Sequence, residues 1–280
     1  MPLYHLYGLA VESDFDCPEL TEITPDQAKA HGYETVLIKR ADAPLTLPEG
    51  QQVTGWMRVT WDACLYLIHD TARMLVERPD RITVEMLPGA AESDMRAYLF
   101  GTGVGTLMHM RGLIPLHISA VQTPDGVVAF TGPSGAGKST KVAELHFKHG
   151  WPIICDDVAV LHPGDKQPLL HAGMNRIKLW KDAVERFGIA HSRLTRDILR
   201  EDKFHLHAPE MFVADPLPLS KLVYIHKNGA LSGTEEHNEQ PRGADLFTVL
   251  SKAVYRPELC VLFGRRTEVM RTLLLTASKM

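Results

Sequence analysis

Hydrophobic and polar positions alternate in short runs over the first 90 residues. Four runs rich in β-branched and aliphatic side chains stand at Met57–Thr60, Cys64–Ile68, Arg73–Val76 and Ile82–Met86. Polar pairs and a proline separate them, which is typical of short strands joined by turns. The pattern therefore predicts an antiparallel meander. In the proline-rich stretch 18–50, it predicts a loop with a short helix at Pro25–Ala30.

A helical pattern follows the meander. Ser93 or Asp94 is a suitable N-cap for a helix that runs to about Met110 and ends at Gly112. Three glycines between positions 101 and 105 each lower the helix propensity by up to about 1 kcal/mol. The sequence leaves two explanations open for them: close packing at the glycines, or a break in the helix.

Beyond Gly112 the pattern changes to alternating strands and helices. The runs His117–Val121 and Val127–Phe130 flank a turn and predict a hairpin, with His117 on a strand. A glycine-rich loop, a helix over Lys138–His149 and a strand over Pro152–Cys155 predict a βαβ unit with a nucleotide at the carboxyl ends of its strands. Further elements are predicted as a helix at Lys181–Phe187, a strand at Leu222–His226, and helices at Gly243–Val254 and Arg266–Lys279.

Composition narrows the class of protein. With 45% hydrophobic and 23% charged residues, the 280-residue chain can bury a core, which excludes disorder. A net charge of −4 argues against coating nucleic acid. There is no apolar run of the roughly 18–20 residues that a membrane span needs, no signal-peptide pattern, and no Cys-x-x-Cys pair among the four cysteines. We expect a soluble cytoplasmic α/β protein with neither nucleic acid nor membrane as partner.

The strongest motif is a complete G-x-x-x-x-G-K-[ST] pattern. It consists of Gly132, Pro133, Ser134, Gly135, Ala136, Gly137, Lys138 and Ser139, with Thr140 next in the helix. Its glycines let backbone N–H groups surround a phosphate, at the positive end of the helix dipole. We expect Lys138 to hold the β- and γ-phosphates and the Ser139 hydroxyl to ligate Mg²⁺. The expected cofactors are ATP and Mg²⁺, and GTP or pyrophosphate stays open as the donor.

Two carboxylates, Asp156 and Asp157, end the next apolar strand. One acidic residue at this place usually faces the metal, a role predicted here for Asp156. A second allows a base that accepts a hydroxyl proton, as in a kinase. The alternative is one metal aspartate with a solvated neighbour or helix cap. Which of the two is the base stays open.

His117, a loop lysine 21 positions later, and the Asp156–Asp157 pair together resemble the HPr kinase/phosphorylase family. The chain is more similar to the shorter HPr-kinase-like proteins that occur with peptide-modifying gene clusters, including the lasso-peptide kinases. Further matching segments are Gly150–Pro152, Met174–Trp180, Asp215–Leu219 and Tyr255–Pro257. The resemblance covers about residues 113–260.

This resemblance implies a P-loop kinase domain of the HPr-kinase type over 91–280. The small, mainly β domain predicted over 1–90 is a candidate for substrate recognition because of its position. The resemblance implies that His117 supports proton transfer beside a catalytic aspartate that acts as base towards a substrate serine. It also implies a homo-oligomer. The glycine-rich signature that follows the aspartates in the full-length HPr enzymes is absent, so neither phosphorylase activity nor HPr as substrate is implied.

Cationic candidates for the γ-phosphate or an acidic substrate are Arg176, Lys178, Lys203 and Arg256, with Arg176 and Lys203 preferred. His205 and His207 lack a nearby third ligand and predict no zinc site. Three functions are compared. The first is a kinase for a serine of a peptide or small protein, a lasso-peptide precursor being its sharpest form. The others are a kinase for a small-molecule hydroxyl and a nucleotide switch that transfers no phosphate.

Overall fold

The computed structural model describes residues 1–163, 167–197, 200–213, 215–226 and 238–280. The chain divides into two compact units. Unit 1 comprises Met1–Leu113 and Arg256–Val269, and unit 2 comprises Ile114–Tyr255 and Met270–Met280. The expected boundary lay near residue 90. The helical segment beyond that residue belongs to unit 1 because it packs on the sheet of that unit.

A nine-stranded sheet forms unit 1. Its strands are β1 (Leu3–Leu6), β2 (Leu9–Ser13), β3 (Thr21–Glu22), β4 (Glu34–Arg40), β5 (Gln51–Thr54), β6 (Met57–Val59), β7 (Ala63–Ile68), β8 (Ala72–Glu77) and β9 (Arg81–Met86). Their order is β3-β1-β2-β4-β9-β8-β7-β6-β5. The antiparallel meander is confirmed as β6 to β9. Helix α1 (Pro25–Ala30) is confirmed as well, with a Thr24 capping box.

Strand β4 lies where the sequence predicts a loop. Its two fully buried side chains are Val36 and Ile38, and the partly buried Leu37 lies between them. A run of three apolar residues shows no alternation and is too short to predict a strand. The strand forms because β2 and β9 pair with it in parallel on its two sides.

The helical segment of unit 1 is continuous through its glycines. It consists of α2 (Glu92–Tyr98), a π-helical turn (Leu99–Gly103) and α3 (Val104–Met110). A Cβ at Gly103 would lie 2.6 Å from the Met74 Sδ of β8, so close packing explains this glycine. The segment ends as predicted at Gly112, whose φ is 77°. Helix α7 (Pro257–Leu262), which the sequence analysis missed, completes unit 1 together with the start of α8 (Arg266–Lys279).

Three sheets form unit 2 in the described residues. The five-stranded sheet has the order β13 (Ile153–Cys155), β11 (Ser119–Thr123), β12 (Gly126–Thr131), β19 (Leu219–Ile225) and β20 (Asn238–Glu239). A three-stranded sheet has the order β10 (Ile114–Leu116), β14 (Ala159–His162) and β15 (Leu169–His171). A second three-stranded sheet has the order β16 (Arg176–Trp180), β18 (Lys203–His207) and β17 (Leu194–Arg196). The helices are α4 (Lys138–His149), α5 (Lys181–Arg186), α6 (Gly243–Ala253) and the end of α8, all predicted.

Two details of the predicted βαβ unit are wrong. The hairpin of β11 and β12 exists, but His117 lies between β10 and β11 and not on a strand. Strands β12 and β13 are parallel but not adjacent, because β11 lies between them and is antiparallel to both. The parallel neighbour of β12 is β19, which comes far later in the chain.

Helix α4 lies between the five-stranded sheet and the sheet of β16 to β18. Its Val142 and Ala143 share one buried cluster with Phe130 of β12 and with Ile177 and Leu179 of β16. Burying side chains of this size stabilises by about 1.5–3 kcal/mol each. The packing fixes the start of α4 relative to β16, which matters for the site below. None of the described helices is long and apolar enough to cross a membrane.

Candidate phosphate-binding site

The glycine-rich loop joins β12 to the start of α4. Gly132 has φ 144°, and a Cβ there would lie 2.3 Å from the Ile225 carbonyl oxygen of β19. Only glycine allows this approach of the loop to the neighbouring strand. Helix α4 begins at Lys138, and no side chain caps it. Its first N–H groups and the positive end of its dipole are therefore available to an anion.

Lys138 lies folded over its own loop. Its Nζ donates hydrogen bonds to the carbonyl oxygens of Gly132 at 2.9 Å and of Pro133 at 3.3 Å. Burial lowers the pKa of the Lys138 ammonium, and Asp156 and Asp157 partly offset this effect. A bound phosphate would stabilise the ammonium better than two carbonyl dipoles do, because it brings a full opposite charge to the same place.

The two aspartates at the end of β13 have different surroundings. Asp156 is buried, its Oδ1 accepts a hydrogen bond from Ser119 Oγ at 2.6 Å, and its Oδ2 accepts one from the Lys178 backbone N–H at 2.7 Å. Asp157 lines a cavity, and its Oδ2 lies 2.6 Å from Lys178 Nζ. Asp156 thus joins β11, β13 and β16, while Asp157 presents its carboxylate to the cavity.

Asp157 has an unusual backbone conformation and a perturbed carboxyl group. Its φ of 82° is rare for a residue with a Cβ, and such strain is frequent at functional sites. Burial by itself would raise the pKa of the Asp157 carboxyl. The Lys178 ammonium, helped by His117 and Arg176, outweighs burial and holds that pKa well below its ordinary value. Asp157 is therefore ionised at neutral pH.

His117 lies beside Asp157. Its Nδ1 is 2.9 Å from the Asp157 carbonyl oxygen and 3.4 Å from the Asp157 Oδ1. Because a carbonyl can only accept, this contact assigns the proton to Nδ1 and leaves a lone pair on Nε2. Burial and then the charge of Lys138 lower the pKa of His117, against the effect of Asp157. The imidazole is therefore mainly neutral at pH 7 and can accept a hydrogen bond at Nε2.

The loop and these side chains surround a cavity of about 230 Å³. Its described lining residues are His117, Ser119, Ser134, Gly135, Gly137, Lys138, Ser139, Thr140, Asp157, Lys178, Trp180, Asp197, Arg200 and Lys203. Lys138, Lys178, Arg200 and Lys203 contribute four positive charges, and Asp157 and Asp197 contribute two negative ones. Such a polar lining with a positive balance suits a phosphate chain better than an apolar ligand.

The cationic part of this lining comes from the sheet of β16 to β18. Lys178 and Trp180 lie two positions apart and share one face of β16, and Lys203 is paired directly with Trp180. The other face carries Ile177 and Leu179 into the core. The lining residues that the sequence analysis missed are Ser119, Trp180, Asp197 and Arg200. For Trp180 a signal existed, because Arg176–Trp180 alternates polar and apolar positions.

The remaining predicted site residues lie outside the described lining. Arg176 is buried on the face of β16 that carries Lys178, and its Nη1 lies 3.3 Å from His205 Nδ1. The Nε2 of His205 in turn contacts Asp197 at 2.8 Å. Arg256 belongs to unit 1, where its Nη2 donates to the Thr102 hydroxyl at 3.0 Å. In the loop, the Ala136 N–H donates to the Pro133 carbonyl at 3.2 Å.

Comparisons with known proteins find a likeness among solved structures but no matching family. No protein-family model matches the chain, and no curated protein does. Among solved structures, the chain is similar to the HPr(Ser) kinase/phosphatase from Coxiella burnetii, with 19% identity over 40% of this chain and 77% of that chain. The TM-score is 0.22, which is too low to define a shared fold.

Proposed function

We propose that the protein is an ATP- and Mg²⁺-dependent kinase that transfers the γ-phosphoryl group to a serine hydroxyl of a peptide or small protein. One observation carries the proposal. The loop lysine Lys138 and the ionised carboxylate of Asp157, with His117 beside it, line the same cavity. A phosphate-binding loop alone would suit any nucleotide-binding protein. A carboxylate in the same cavity supplies the proton acceptor that transfer to a hydroxyl requires.

The loop suits the donor. Backbone N–H groups of the loop and of the first turn of α4 would hold the phosphates, with Lys138 moving from its loop carbonyls to the β- and γ-phosphate oxygens. The positive balance of the lining opposes the charge of a triphosphate and the charge that develops on the transferred group.

The structure favours Asp157 over Asp156 as the proton acceptor. Both oxygens of Asp156 accept hydrogen bonds from groups of the protein, and this carboxylate is not among the described cavity residues. Asp157 meets the cavity directly. Because phosphoryl transfer has a loose transition state, the base mainly orients the hydroxyl and takes its proton late, so a low pKa is tolerated. His117 would assist from the side through its Nε2 lone pair.

The oxygen donors around the loop are compatible with Mg²⁺. This ion prefers hard oxygen ligands and usually binds through one or two protein groups together with phosphates and water. The Ser139 hydroxyl lines the cavity, and carboxylate capacity is available at Asp157 and, from behind the lining, at Asp156. No cluster of three or more His, Cys, Asp or Glu side chains that could hold a metal exists in the described residues. When bound with the nucleotide, the ion would neutralise phosphate charge.

The acceptor and the setting come from the sequence resemblance. The resemblance to short HPr-kinase-like proteins favours a peptide, a lasso-peptide precursor in its sharpest form, in the cytoplasm. Unit 1, with its exposed edge strand β5 (Gln51–Thr54), is proposed to recognise that acceptor. A homo-oligomer is proposed on the same basis.

The test is a transfer assay with the whole protein. It is incubated with ATP, Mg²⁺ and the peptides encoded beside its gene, and each peptide is then examined for a mass gain of one phosphate on serine. We expect phosphoserine on one of these peptides and none without Mg²⁺. ATP turnover that leaves every peptide unmodified would contradict the peptide-kinase proposal and favour a small-molecule acceptor or a nucleotide switch.

A further inference from the structure

The cavity contains a second cationic group besides the loop lysine. We call it the sheet wall and define it by Lys178, Trp180, Arg200 and Lys203. The Arg200 guanidinium carbon and the Lys203 Nζ lie 5.8 and 5.6 Å from the centroid of the Trp180 ring. All four side chains line the cavity. In the proposed function, the glycine-rich loop holds the donor phosphates, and these four side chains contribute to that binding only through their charge.

Within the residues that the structure describes, the charges of the sheet wall are only partly neutralised. Lys178 pairs with Asp157, but neither Arg200 nor Lys203 forms an ion pair with any carboxylate in the part of the chain that the structure describes. Burial lowers the pKa of Lys203, and the next largest effect is repulsion from Lys178. Cations that repel one another in a partly buried place favour the binding of an anion.

A buried arginine beside the sheet wall points the same way. Arg176 lies two residues before Lys178 on the same face of β16 and is 8% exposed. Its Nε has no hydrogen-bond partner among the described residues. A charged guanidinium with an unpaired N–H is costly to bury, and a nearby anion would lower that cost. The Arg176 charge also adds to the positive potential of Lys178, Arg200 and Lys203.

The position of the sheet wall assigns it to the acceptor rather than to the donor. In an in-line transfer, the acceptor hydroxyl and its base lie on the side of the γ-phosphate opposite the leaving group. Lys178 forms an ion pair with Asp157, the candidate base. Trp180 follows Lys178 on the same face of β16, and Lys203 of β18 is paired with Trp180. The groups beyond Lys178 are therefore placed to contact what carries the hydroxyl.

We propose that the sheet wall binds an anionic group of the acceptor, so that the acceptor is an acidic peptide with a carboxylate within a few residues of the modified serine. The carboxylate bonds to Arg200 and Lys203, and a neighbouring side chain or peptide plane packs on the half-exposed ring of Trp180. This inference rests on the proposed kinase function for the identity of the acceptor. The anion site itself does not depend on transfer.

The first experiment measures binding without transfer. The full chain is saturated with Mg²⁺ and a non-hydrolysable ATP analogue, and three labelled peptides are titrated by fluorescence anisotropy. The peptides share one sequence with a single serine, flanked by Asp, by Asn or by Lys. We expect the Asp peptide to bind at least about tenfold more tightly than the Asn peptide, as the loss of one or two charge-assisted hydrogen bonds implies. Equal binding of the three peptides, or no binding, overturns the proposal.

Charge reversal distinguishes a binding role from a structural one. Lys203→Glu and Arg200→Glu should each reverse the preference, so that the Lys peptide binds better than the Asp peptide. The matched control is Lys221→Glu, which makes the same charge change at an exposed lysine of β19 outside the lining. The control should keep the preference for Asp. A loss of nucleotide affinity in the two variants with an unchanged peptide preference would assign the sheet wall to the donor phosphates and overturn the proposal.

A transfer assay on the same peptides separates this inference from the proposed function. Tight binding of the Asp peptide without any phosphate transfer would refute the kinase proposal and leave the anion site standing. Phosphorylation of the Asp and Asn peptides with equal kcat/KM would support the kinase and refute the acidic acceptor.

Discussion

The two sides of the cavity are built in different ways. The loop side is one continuous stretch of chain, Gly132–Thr140. The positions of its backbone and side-chain groups follow from the order of residues in that stretch. The sheet wall collects side chains from residues 178–203, and only the pairing of β16 with β18 brings them together. In the proposed function, a continuous motif determines how phosphate is held. The part that would select the acceptor depends on strand pairing, and its chemistry can change without any change in the motif.

The aspartate pair shows the same contrast over a single peptide bond. Asp156 is surrounded by hydrogen-bond donors of the protein and holds three strands together. Asp157 has a left-handed backbone conformation and faces the cavity with Lys178 and His117 around it. Adjacent residues of the same type therefore have different surroundings, one bonded on both oxygens within the protein and one facing the cavity.

The largest effect is expected on the loop side. Lys138→Ala should lower kcat by about 10³-fold or more, since a cation at the transferring phosphate is worth about 10³–10⁵ where an arginine supplies it. The matched control is Lys141→Ala, three residues on in the same helix, where the lysine pairs with Glu144 and is not in the lining. Steady-state kinetics and calorimetric titration with ATP measure the two variants. Equal activity of the two would show that the loop lysine is not part of the reaction.

A smaller effect should separate the two aspartates. Asp157→Asn should lower kcat by about 10²–10³-fold with ATP affinity and melting temperature nearly unchanged, because it removes the proton acceptor and little of the fold. Asp156→Asn should lower the melting temperature as well, since a buried hydrogen-bonded carboxylate is lost and a donor is left without its partner. Kinetics, ATP binding and thermal unfolding are measured on both. Full transfer activity in Asp157→Asn would eliminate that residue as the base.

The smallest effect is expected in the pH dependence of the free energy of unfolding, to which His117 and His205 both contribute. Burial, with Lys138 near His117 and with Arg176 near His205, lowers the pKa of both imidazoles below their ordinary value of about 6.5. The unfolded chain then binds more protons below pH 6.5, so the free energy of unfolding should be constant above that pH and fall as the pH drops towards the folded-state values. Urea unfolding between pH 5 and 8 measures this.

Replacing either histidine should flatten that dependence. His205→Gln removes the imidazole that contacts Asp197, and His117→Gln removes the imidazole next to Asp157. We expect the larger flattening from His205, because its side chain is 13% exposed and that of His117 is 35% exposed. A slope that neither substitution changes would assign the pH dependence to other groups.

Regular patterns made much of the fold predictable. The helices Lys138–His149 and Arg266–Lys279 begin and end at the predicted residues, and the meander has its four strands. Strand β4 and helix α7 were missed, because the first has two buried apolar residues and the second is only six residues long. The place of β11 between β12 and β13 was also missed, since order within a sheet depends on long-range pairing that local periodicity does not report.

In the candidate site, too, contiguous motifs could be predicted, whereas the set of residues that strand pairing brings together could not. The loop and the Asp156–Asp157 pair could be identified as candidates because each is contiguous in the sequence. Arg200 could not, because an arginine is an ordinary residue until a neighbouring ring gives it a partner, and for Trp180 only the alternation of Arg176–Trp180 gave a signal. Ser119 is a similar case, since its role comes entirely from the 2.6 Å hydrogen bond to Asp156.

By itself, the sequence determined the longer helices, the meander, the glycine-rich loop and the pair of carboxylates, because these depend on residue type and on spacing of a few positions. Tertiary structure decided that Asp157 and not Asp156 meets the cavity, that His117 stands beside it, and that Lys178, Trp180 and Lys203 share one cationic face. Those outcomes depend on the packing of α4 and on the register of β16 with β18. Both are properties of contacts between residues that lie far apart in the chain.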